Sequence, residues 1–378
     1  MSSIPAISAM AAPVLIERSG SLGRIRLNRP KALNSLTLEM VRSIAGALDA
    51  FETDATIRAV LVSGEGGRAF CAGGDIRALY DAGRAGDPMP LTFWREEYVL
   101  DARIASYPKP VIALMDGITM GGGVGVAVHG SHRIVTENTK FAMPEAGIGL
   151  FPDVGGSWFL PRAPGEFGTY LGLTGAQIGA GEALFAGVAD QFVPVAQIDS
   201  LIAHLSALPP VPSHDEANKH AVTGLIGRFQ QPAPLAPLLE HSAEIDACFC
   251  HDTVEEILDA LTRQGSSFAA ATLQTLATKS PTSLVLTLRL LRLGRGSTNL
   301  KQCLEREFRA CNALVSGHDF YEGVRAAVID KDRNPQWVPN TLDQVALADI
   351  DAMIATPVDP VFQTMNSAAG QGERPHDL

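Results

Sequence analysis

Residues 117–125 read GITMGGGVG, and the three consecutive glycines stand between a strand pattern and a helix pattern. The preceding Pro110–Leu114 is a short apolar run of the kind that forms a buried strand. Glycines at such a junction let the backbone approach a bound molecule closely. The segment is not a phosphate-binding GxxxxGK[ST] loop, nor a GxGxxG motif with an acid at the dinucleotide spacing. It predicts a turn that contacts a ligand and leaves the ligand unidentified.

A second glycine turn lies earlier in the chain. Phe70–Ile76 (FCAGGDI) follows a strand-and-loop region and precedes a helix pattern. Backbone N–H groups at such a turn can point at a ligand, and a helix N-terminus favours negative charge. The alternative is an ordinary tight turn in which Asp75 caps the helix. Cys71, among small apolar residues, is predicted to pack rather than to react.

Two acids interrupt a third stretch that is otherwise apolar, glycine or proline. Met143–Gly156 reads MPEAGIGLFPDVGG, with Glu145 and Asp153 each directly after a proline. Apolar surroundings raise the pKa of a carboxyl group, and two neighbouring carboxyl groups push their pKa values apart. The alternative is that these acids cap helices or pair with a buried arginine such as Arg162.

The two glycine turns and the acid pair together indicate an acyl-transfer site. Each turn would give one N–H group to a developing oxyanion, a contribution of about 2.7–4 kcal/mol per donor. A carboxylate between them would attack a carbonyl carbon or activate water. The sequence has no GxSxG nucleophile motif and no evident Cys/His nucleophile pair.

The wider pattern alternates strands and helices before it becomes mainly helical. Residues 13–30 alternate as a hairpin, and residues 36–53 have helical periodicity with Ser35 or Thr37 as a cap. Further strands are predicted at 60–64, 110–114, 133–135 and 140–143, and helices at 90–106 and 121–128. After about residue 195, helices are predicted at 198–207, 214–228, 253–264, 268–278, 282–293 and 298–316. This order predicts an α/β layer followed by a helical region.

Composition excludes several classes of function. The chain has 378 residues, a net charge of -11 and no run of lysines and arginines, so nucleic-acid binding is not expected. The five cysteines are odd in number and do not form a disulfide framework or a zinc pattern, so no metal site is predicted. No signal peptide and no apolar run of about 18 residues stand out, so no membrane contact and a cytoplasmic location are predicted.

At this point the motifs resemble those of the crotonase superfamily, the enoyl-CoA hydratases and isomerases. The matching pieces are Asn28–Leu36 (NRPKALNSL), Arg68–Ile76 (RAFCAGGDI) and the 117–125 glycine segment. Four stretches resemble more closely the branch of 3-hydroxyisobutyryl-CoA hydrolases. They are Phe93–Tyr98 (FWREEY), 117–125 read whole, Phe141–Arg162 (FAMPEAGIGLFPDVGGSWFLPR), and Gly317–Arg325 (GHDFYEGVR) with 330–332 and 334–337.

The resemblance implies a fold and a set of site residues. The fold is a spiral of repeated ββα units followed by a C-terminal helical region. It divides the chain into a flexible N-terminus (1–12), a ββα core with the active site (13–200), a helical region (201–345) and a partly disordered tail (346–378). By position, Gly74 and Gly122 supply the oxyanion N–H groups, Glu145 and Asp153 are catalytic, and Glu97 contacts substrate with Gly122, Glu145 and Asp153. Without the resemblance, Glu97 reads as a solvated charge on a helix face.

The implied reaction is hydrolysis of a short branched 3-hydroxyacyl-CoA thioester, as in valine catabolism. Glu145 is either a nucleophile or a general base, and Asp153 positions water or handles a proton. Arg29, Lys31 and Ala32 are candidate contacts to CoA, which is part of the substrate, and no separate cofactor is expected. The resemblance also allows a homo-oligomer, a trimer or a hexamer.

One departure from the hydratase pattern separates the alternatives. A hydratase uses a second glutamate three residues after Gly122, where this chain has Gly125. Glycine cannot exchange protons, so hydration or isomerisation of an enoyl-CoA is the alternative rather than the first expectation. A non-catalytic acyl-CoA-binding protein on the same fold is a further alternative, and it predicts loss of the acid pair, which this chain retains.

Overall fold

A computed structural model describes residues 12–209 and 216–362 of the chain. The predicted flexible N-terminus therefore lies, apart from residue 12, outside the described residues, and so does the predicted disorder from about residue 366. The strands are β1 (Val14–Ser19), β2 (Leu22–Leu27), β3 (Ala59–Gly64), β4 (Ala69–Cys71), β5 (Val111–Met115), β6 (Ile118–Met120), β7 (His132–Val135), β8 (Lys140–Ala142) and β9 (Gln191–Phe192).

The helices follow the predicted pattern closely in the first half of the chain and dominate the second half. They are α1 (Leu38–Thr53), α2 (Ile76–Arg84), α3 (Met89–Ala105), α4 (Gly122–Val128), α5 (Gly156–Phe159), α6 (Phe167–Thr174), α7 (Ala180–Phe185), α8 (Val195–Ser206), α9 (Glu216–Gly227), α10 (Ser242–Phe249), α11 (Val254–Gln264), α12 (Ser267–Leu276), α13 (Pro281–Arg295), α14 (Leu300–Leu314), α15 (Asp319–Val324) and α16 (Leu347–Ala355).

From β3 onward, successive strands alternate between two sheets. The larger sheet has the order β1-β2-β3-β5-β7-β9, and the smaller sheet has the order β4-β6-β8. The β1–β2 hairpin is antiparallel, and the remaining pairs are parallel. The first unit places both of its strands in the larger sheet before α1, and each of the next three units, β3–β4, β5–β6 and β7–β8, places one strand in each sheet before a helical segment follows. The predicted spiral of ββα units is confirmed.

Helix α1 illustrates how local sequence fixes an element. The Thr37 hydroxyl accepts a hydrogen bond from the Met40 N–H, so Thr37 rather than Ser35 is the N-cap. Met40, Ile44 and Leu48 recur at a helical spacing and are buried. That apolar stripe attaches the helix to the core, where helix packing contributes more than intrinsic propensity.

The C-terminal helices pack on the α/β layer rather than standing apart from it. Helix α13 contacts α5 and α6, and α14 packs against α3. The predicted tail, 346–378, begins with α16, which packs on α14 through buried Ile350 and Ile354. These two isoleucines are four residues apart, so they share one helix face and order this part of the segment.

The smaller sheet positions the three motifs. The parallel strands β4, β6 and β8 are neighbours, and their carboxyl ends lead to Gly73-Gly74, Gly121-Gly122 and Pro144-Glu145 respectively. Carboxyl ends of parallel strands meet at one edge of a sheet, where ligands of α/β proteins commonly bind. Segments separated by up to about seventy residues in the sequence are therefore brought to one place.

Candidate active site

A cavity of about 770 Å³ lies at this edge, and its wall contains all the residues predicted for the reaction. Gly74, Gly122, Glu97, Glu145 and Asp153 all line it. Lys31 is exposed and does not line the cavity. Arg29 forms an ion pair with Asp75, with an Nη2–Oδ2 distance of 2.8 Å.

The two glycine turns place their amides side by side. A Cβ atom built on Gly122 would lie 3.3 Å from the Gly74 nitrogen, and one on Gly73 would lie 3.7 Å from the Gly122 nitrogen. Neither the Gly74 nor the Gly122 N–H donates to a backbone acceptor within residues 12–209 and 216–362. Two free donors facing one cavity have the arrangement required of an oxyanion site. Asp75 also caps α2, so this segment is both a glycine turn that faces the cavity and the start of a capped helix.

Glu97 lies on α3 with its carboxyl group against the second glycine turn. Its side chain is 1% exposed, so the interpretation of a solvated helix-face charge is wrong. A Cβ on Gly122 would lie 2.3 Å from Glu97 Oε1, and only glycine leaves room for this carboxyl group. Burial raises the pKa of Glu97 well above its usual range, and the neighbouring acids Asp101, Asp153 and Glu145 raise it further.

Glu145 opens the short 3₁₀ turn Glu145–Ile148 directly after β8. Its Oε1 lies 2.9 Å from the position of a Cβ on Gly121, and its buried Oε2 has no hydrogen-bond partner in the part of the chain described. Burial raises its pKa well above the usual range, the charge of Asp153 adds to this, and Lys279 opposes it. An acid with an unpaired oxygen beside two free amides is placed to act on a bound carbonyl group.

Within residues 12–209 and 216–362, the side-chain partner of Asp153 is the hydroxyl of Tyr98. The Tyr98 O–H donates to Asp153 Oδ2 over 2.7 Å inside the protein. Burial raises the pKa of Asp153 to about 7, the Tyr98 hydrogen bond lowers it, and the charge of Glu307 raises it. A carboxyl group with a pKa near neutrality can both give and take a proton at physiological pH. Tyr98 belongs to the FWREEY motif, yet no local pattern pairs it with Asp153, because the two residues are 55 positions apart in the chain.

The backbone after Asp153 is held in an unusual conformation by buried partners. Val154 has φ 48°, a rare value for a β-branched residue. Its carbonyl accepts a hydrogen bond from His129 Nε2 at 2.8 Å. Glu307 on α14 accepts hydrogen bonds from the N–H groups of Gly155 and Ser157 at 2.7 and 3.0 Å. Such a strained conformation persists only when surrounding contacts fix it. Here the contacts fix the backbone directly after Asp153, whose side chain lines the cavity.

Arg162 and Gly125 resolve two questions left open by the sequence. Arg162 donates to the carbonyls of Trp158 and Ser297, so it is not the partner of either acid. A Cβ on Gly125 would lie 2.8 and 2.9 Å from the two carboxyl oxygens of Asp101. Asp101 is fully buried, and neither oxygen has a hydrogen-bond partner within the described ranges. The space in front of residue 125 is therefore occupied by an acid from α3.

The helical region completes the cavity, partly with residues of the Gly317–Arg325 motif and the segment after it, and partly with residues outside any motif. Lys279, between α12 and α13, and Arg333, after α15, line the cavity together with Gly323, Ala326 and Pro335. Sequence reasoning missed both cations because isolated basic residues usually lie on solvated surfaces. They differ from ordinary surface cations only because both line the same cavity in the folded protein.

Comparisons with known proteins agree with this architecture. The family profile described as enoyl-CoA hydratase/isomerase matches residues 22–354. The chain belongs to this family. Curated relatives named 3-hydroxyisobutyryl-CoA hydrolase, mitochondrial, are 48% identical over 89% of this chain and 87% of the relative in Xenopus tropicalis, and 43% identical over 90% and 88% in Homo sapiens.

Two solved structures are similar over nearly the whole chain. A crystal structure titled carnitinyl-CoA dehydratase from Mycobacterium thermoresistibile has a TM-score of 0.86 and 40% identity, and covers 94% of this chain and 100% of its own. One titled enoyl-CoA hydratase from Rhodobacter sphaeroides 2.4.1 has a TM-score of 0.83 and 42% identity, with 93% and 99% covered. Both confirm the crotonase fold.

The comparison corrects one prediction. The predicted cytoplasmic location is wrong, since the curated relatives are named as mitochondrial proteins. The absence of a recognisable targeting pattern was a weak ground for that prediction, because targeting segments are set by composition rather than by a fixed motif. Among the described helices, none is both long and apolar enough to cross a membrane.

Proposed function

We propose that this protein hydrolyses the thioester of 3-hydroxyisobutyryl-CoA to 3-hydroxyisobutyrate and CoA, a step of valine catabolism. The observation that carries the proposal is the arrangement of acids around Gly125. Glu145 and Asp153 line the cavity, while the position of a second hydratase acid is closed by Asp101. The curated relatives, named for this hydrolase, support the same reaction.

The oxyanion step uses backbone groups. The thioester oxygen sits between the N–H groups of Gly74 and Gly122, which stabilise the negative charge that develops when the carbonyl carbon is attacked. Each such donor contributes about 2.7–4 kcal/mol to transition-state stabilisation. Because the donors belong to two strand ends of one sheet, they hold their positions without reorganising during the reaction.

The acids supply the rest of the chemistry. Glu145 attacks the acyl carbon, which expels the CoA thiolate and leaves a mixed anhydride for water to cleave, or it takes a proton from a water that attacks directly. Asp153, with its pKa near 7, handles the proton at the water or the leaving group. Glu97 is the group placed to accept a hydrogen bond from the 3-hydroxyl, since its buried Oε1 lacks a partner among the described residues.

Contacts to the CoA portion form the less constrained part of the proposal. Arg29, Lys31 and Ala32 lie in a segment that comes before the Gly74 turn in the chain. Arg29 already forms an ion pair with Asp75 and donates a hydrogen bond to the Ser35 carbonyl. Lys31 is exposed and free to meet a phosphate group. The trimer or hexamer allowed by the resemblance stays a prediction.

A second candidate function is hydration or dehydration of an enoyl-CoA. The titles of the two similar crystal structures favour it. The steric closure at Gly125 opposes it, because addition of water to an alkene in this family uses an acid at that position. The two candidates differ in whether the carbon–sulfur bond breaks.

The deciding experiment follows both products. Purified protein is incubated with 3-hydroxyisobutyryl-CoA and, separately, with crotonyl-CoA, while free thiol and the enoyl absorbance are recorded. We expect rapid thiol release from the first substrate and no loss of enoyl absorbance with the second. Loss of enoyl absorbance without thiol release from either substrate would establish the alternative instead.

A further inference from the structure

Cys311 is a buried thiol behind the cavity acid Asp153, and the proposed reaction leaves it without a role. It lies on α14 and is fully buried. Its Sγ atom lies 3.2 Å from the hydroxyl oxygen of Tyr98, and the same hydroxyl group donates to Asp153 Oδ2 over 2.7 Å. The three side chains therefore form one chain of hydrogen bonds that runs from α14, through α3, to the cavity.

The donors and acceptors of this chain have one order while Asp153 is ionised. The Tyr98 hydroxyl group has a single proton, and a carboxylate can only accept. That proton is given to Asp153. The contact between Tyr98 and Cys311 then uses the thiol proton, which the Sγ atom donates to the hydroxyl oxygen. A hydroxyl group that accepts one hydrogen bond is a stronger donor in the next, so the thiol strengthens the bond that Asp153 accepts.

The order of donors also decides which oxygen of Asp153 carries its exchangeable proton. Oδ2 accepts from Tyr98, so a proton taken up by the carboxyl group binds to Oδ1. Asp153 lines the cavity, and Oδ1 is the oxygen left for water or the leaving group. If the Tyr98 hydroxyl group turned to Cys311 instead, the proton of Asp153 would sit on Oδ2, away from the substrate. A thiol sulfur is a weak acceptor, so the hydroxyl proton stays on the carboxylate.

Asp153 is the member of the chain that titrates near neutral pH. Burial raises the pKa of Asp153 to about 7. Burial also raises the pKa values of Tyr98 and Cys311 well above their usual ranges, and the charge of Asp153 raises both further. The hydroxyl and thiol groups therefore keep their protons while Asp153 changes state, and they act on it as hydrogen-bonding partners.

The other acids that face Asp153 disfavour its ionisation. They come from three elements: Glu97 and Asp101 on α3, Glu307 on α14, and Glu145 in the turn after β8. His129, at the end of α4, binds the next carbonyl in the chain, and burial lowers its pKa to about 4, so it is neutral. Lys279 and Arg333 are the cations of the cavity wall. Among these groups, the bond from Tyr98 directly favours the ionised form of Asp153.

Packing of α14 on α3 fixes the chain in this geometry. The rings of Tyr98 and Phe308 meet edge to face, with centroids 6.4 Å apart. Phe308 and Cys311 are three residues apart on α14, so they share one helix face. Glu307, the residue before Phe308, binds the backbone after Asp153. One helix thus holds the loop of Asp153 and also supplies the thiol that bonds to Tyr98.

We propose that Cys311 is a positioning residue that acts on Asp153 through Tyr98. Its thiol group keeps the Tyr98 hydroxyl proton directed at Oδ2 of the carboxylate, so that Asp153 exchanges its proton through Oδ1 on the cavity side. The inference rests on the proposed role of Asp153 in the reaction, and it requires no contact between Cys311 and the substrate.

The test is the pH dependence of kcat/KM for thiol release by full-length protein with Cys311→Ala. The Tyr98 hydroxyl group loses its donor and binds the carboxylate less strongly. The limb that reports Asp153 therefore moves up by about 0.3 pH unit, which changes the rate on that limb about twofold. Cys311→Ser keeps a donor and returns the limb toward its original position. Cys303→Ala, the same change at a buried cysteine of α14 whose thiol accepts from Arg306, leaves the limb in place.

Two further measurements separate action through Tyr98 from a purely structural role. Adding Cys311→Ala to Tyr98→Phe should move the limb no further than Tyr98→Phe alone, because the route to Asp153 is already cut. The infrared S–H band of Cys311 is isolated as the difference between the unsubstituted protein and Cys311→Ala. It should move to higher frequency as pH falls through about 7, since the thiol is held less strongly once Asp153 is protonated.

Equal limb shifts from Cys311→Ala alone and in the Tyr98→Phe background would overturn the proposal, because the thiol would then act by another route. An S–H band that stays constant across the limb would also overturn it, and this result comes from the unsubstituted site. Absence of thiol release by the unsubstituted protein would instead refute the proposed function, so the two failures are distinguishable.

Discussion

Two groups of acidic side chains serve the same cavity and are stabilised in opposite ways. The cavity acids Glu97, Glu145 and Asp153, which line the wall, and their neighbour Asp101 are almost fully buried, and none forms a salt bridge with a described residue. The second group, Glu322, Asp330 and Asp332, is bound by the single guanidinium of Arg325 at 2.7–2.8 Å. Residues beside this network, including Ala326 and Arg333, form the C-terminal wall of the cavity.

The difference between the groups separates chemistry from support. Burial raises the pKa values of the cavity acids, so these groups are able to change protonation state. Hydrogen bonds from Arg325 lower the pKa values of Glu322 and Asp332, so those acids keep their charge at neutral pH. Unpaired buried acids are costly to a fold and are retained where a reaction uses them.

The largest effect is expected from Glu145→Gln, which removes the reactive carboxylate and keeps its shape. We expect thiol release to fall by about 10²–10⁴-fold. The matched control is Glu96→Gln, the same change at a partly exposed residue of α3 whose partner is Arg42. Steady-state assays of both variants check the prediction. Full turnover by Glu145→Gln would contradict its catalytic assignment.

Tyr98→Phe tests whether the hydrogen bond from Tyr98 sets the protonation of Asp153. The hydrogen bond from Tyr98 lowers the pKa of Asp153, so its loss raises that pKa above about 7. The limb of the pH–rate profile that reports Asp153 should move up by about one unit. Tyr107→Phe, which loses a hydroxyl bond to the Leu48 carbonyl, is the control. An equal shift in both variants would show a general effect of losing a hydroxyl group.

Arg325→Gln removes the guanidinium group that binds Glu322, Asp330 and Asp332. Thermal unfolding at pH 7 should begin at a lower temperature, because three acids lose their common partner. Glu322 and Asp332 contribute this stability above their unfolded pKa values, and it is lost as pH falls through their lowered folded pKa values. The difference between variant and parent therefore shrinks near pH 3. KM should rise more than kcat falls, since the wall is disturbed and the cavity acids are not. A selective fall in kcat would contradict the supporting role.

The smallest effect is expected from Asp101→Asn, on stability. Burial raises the pKa of Asp101 well above its usual value, so the folded protein retains its proton to a higher pH than the unfolded chain does. The parent therefore loses stability as pH rises from about 4 through the folded pKa. Asparagine has no charge to bury, so its Tm advantage should be near zero at pH 4 and about 2 °C or more at pH 8. A lower Tm at pH 8 would indicate an ionised Asp101.

Much of the fold and part of the site could be predicted from local pattern. Strand and helix periods reflect which faces are buried, and the β1–β2 hairpin, α1 and α3 lie within a few residues of their predicted bounds. Glycine turns carry their own signal, because a positive φ, as at Gly73 and Gly121, or a tight contact admits no other residue. Glu145 and Asp153 were conspicuous as acids in an apolar stretch.

The rest depended on contacts between distant segments. The sequence by itself determined the ββα order, the glycine turns and the identity of the acid pair, because these follow from residues close together in the chain. Only the tertiary structure decided that Asp101 fills the space at Gly125, that Glu307 holds the loop after Asp153 and that Lys279 lines the same cavity as Glu145. Such neighbours are brought together by packing of whole helices, and no local period encodes them.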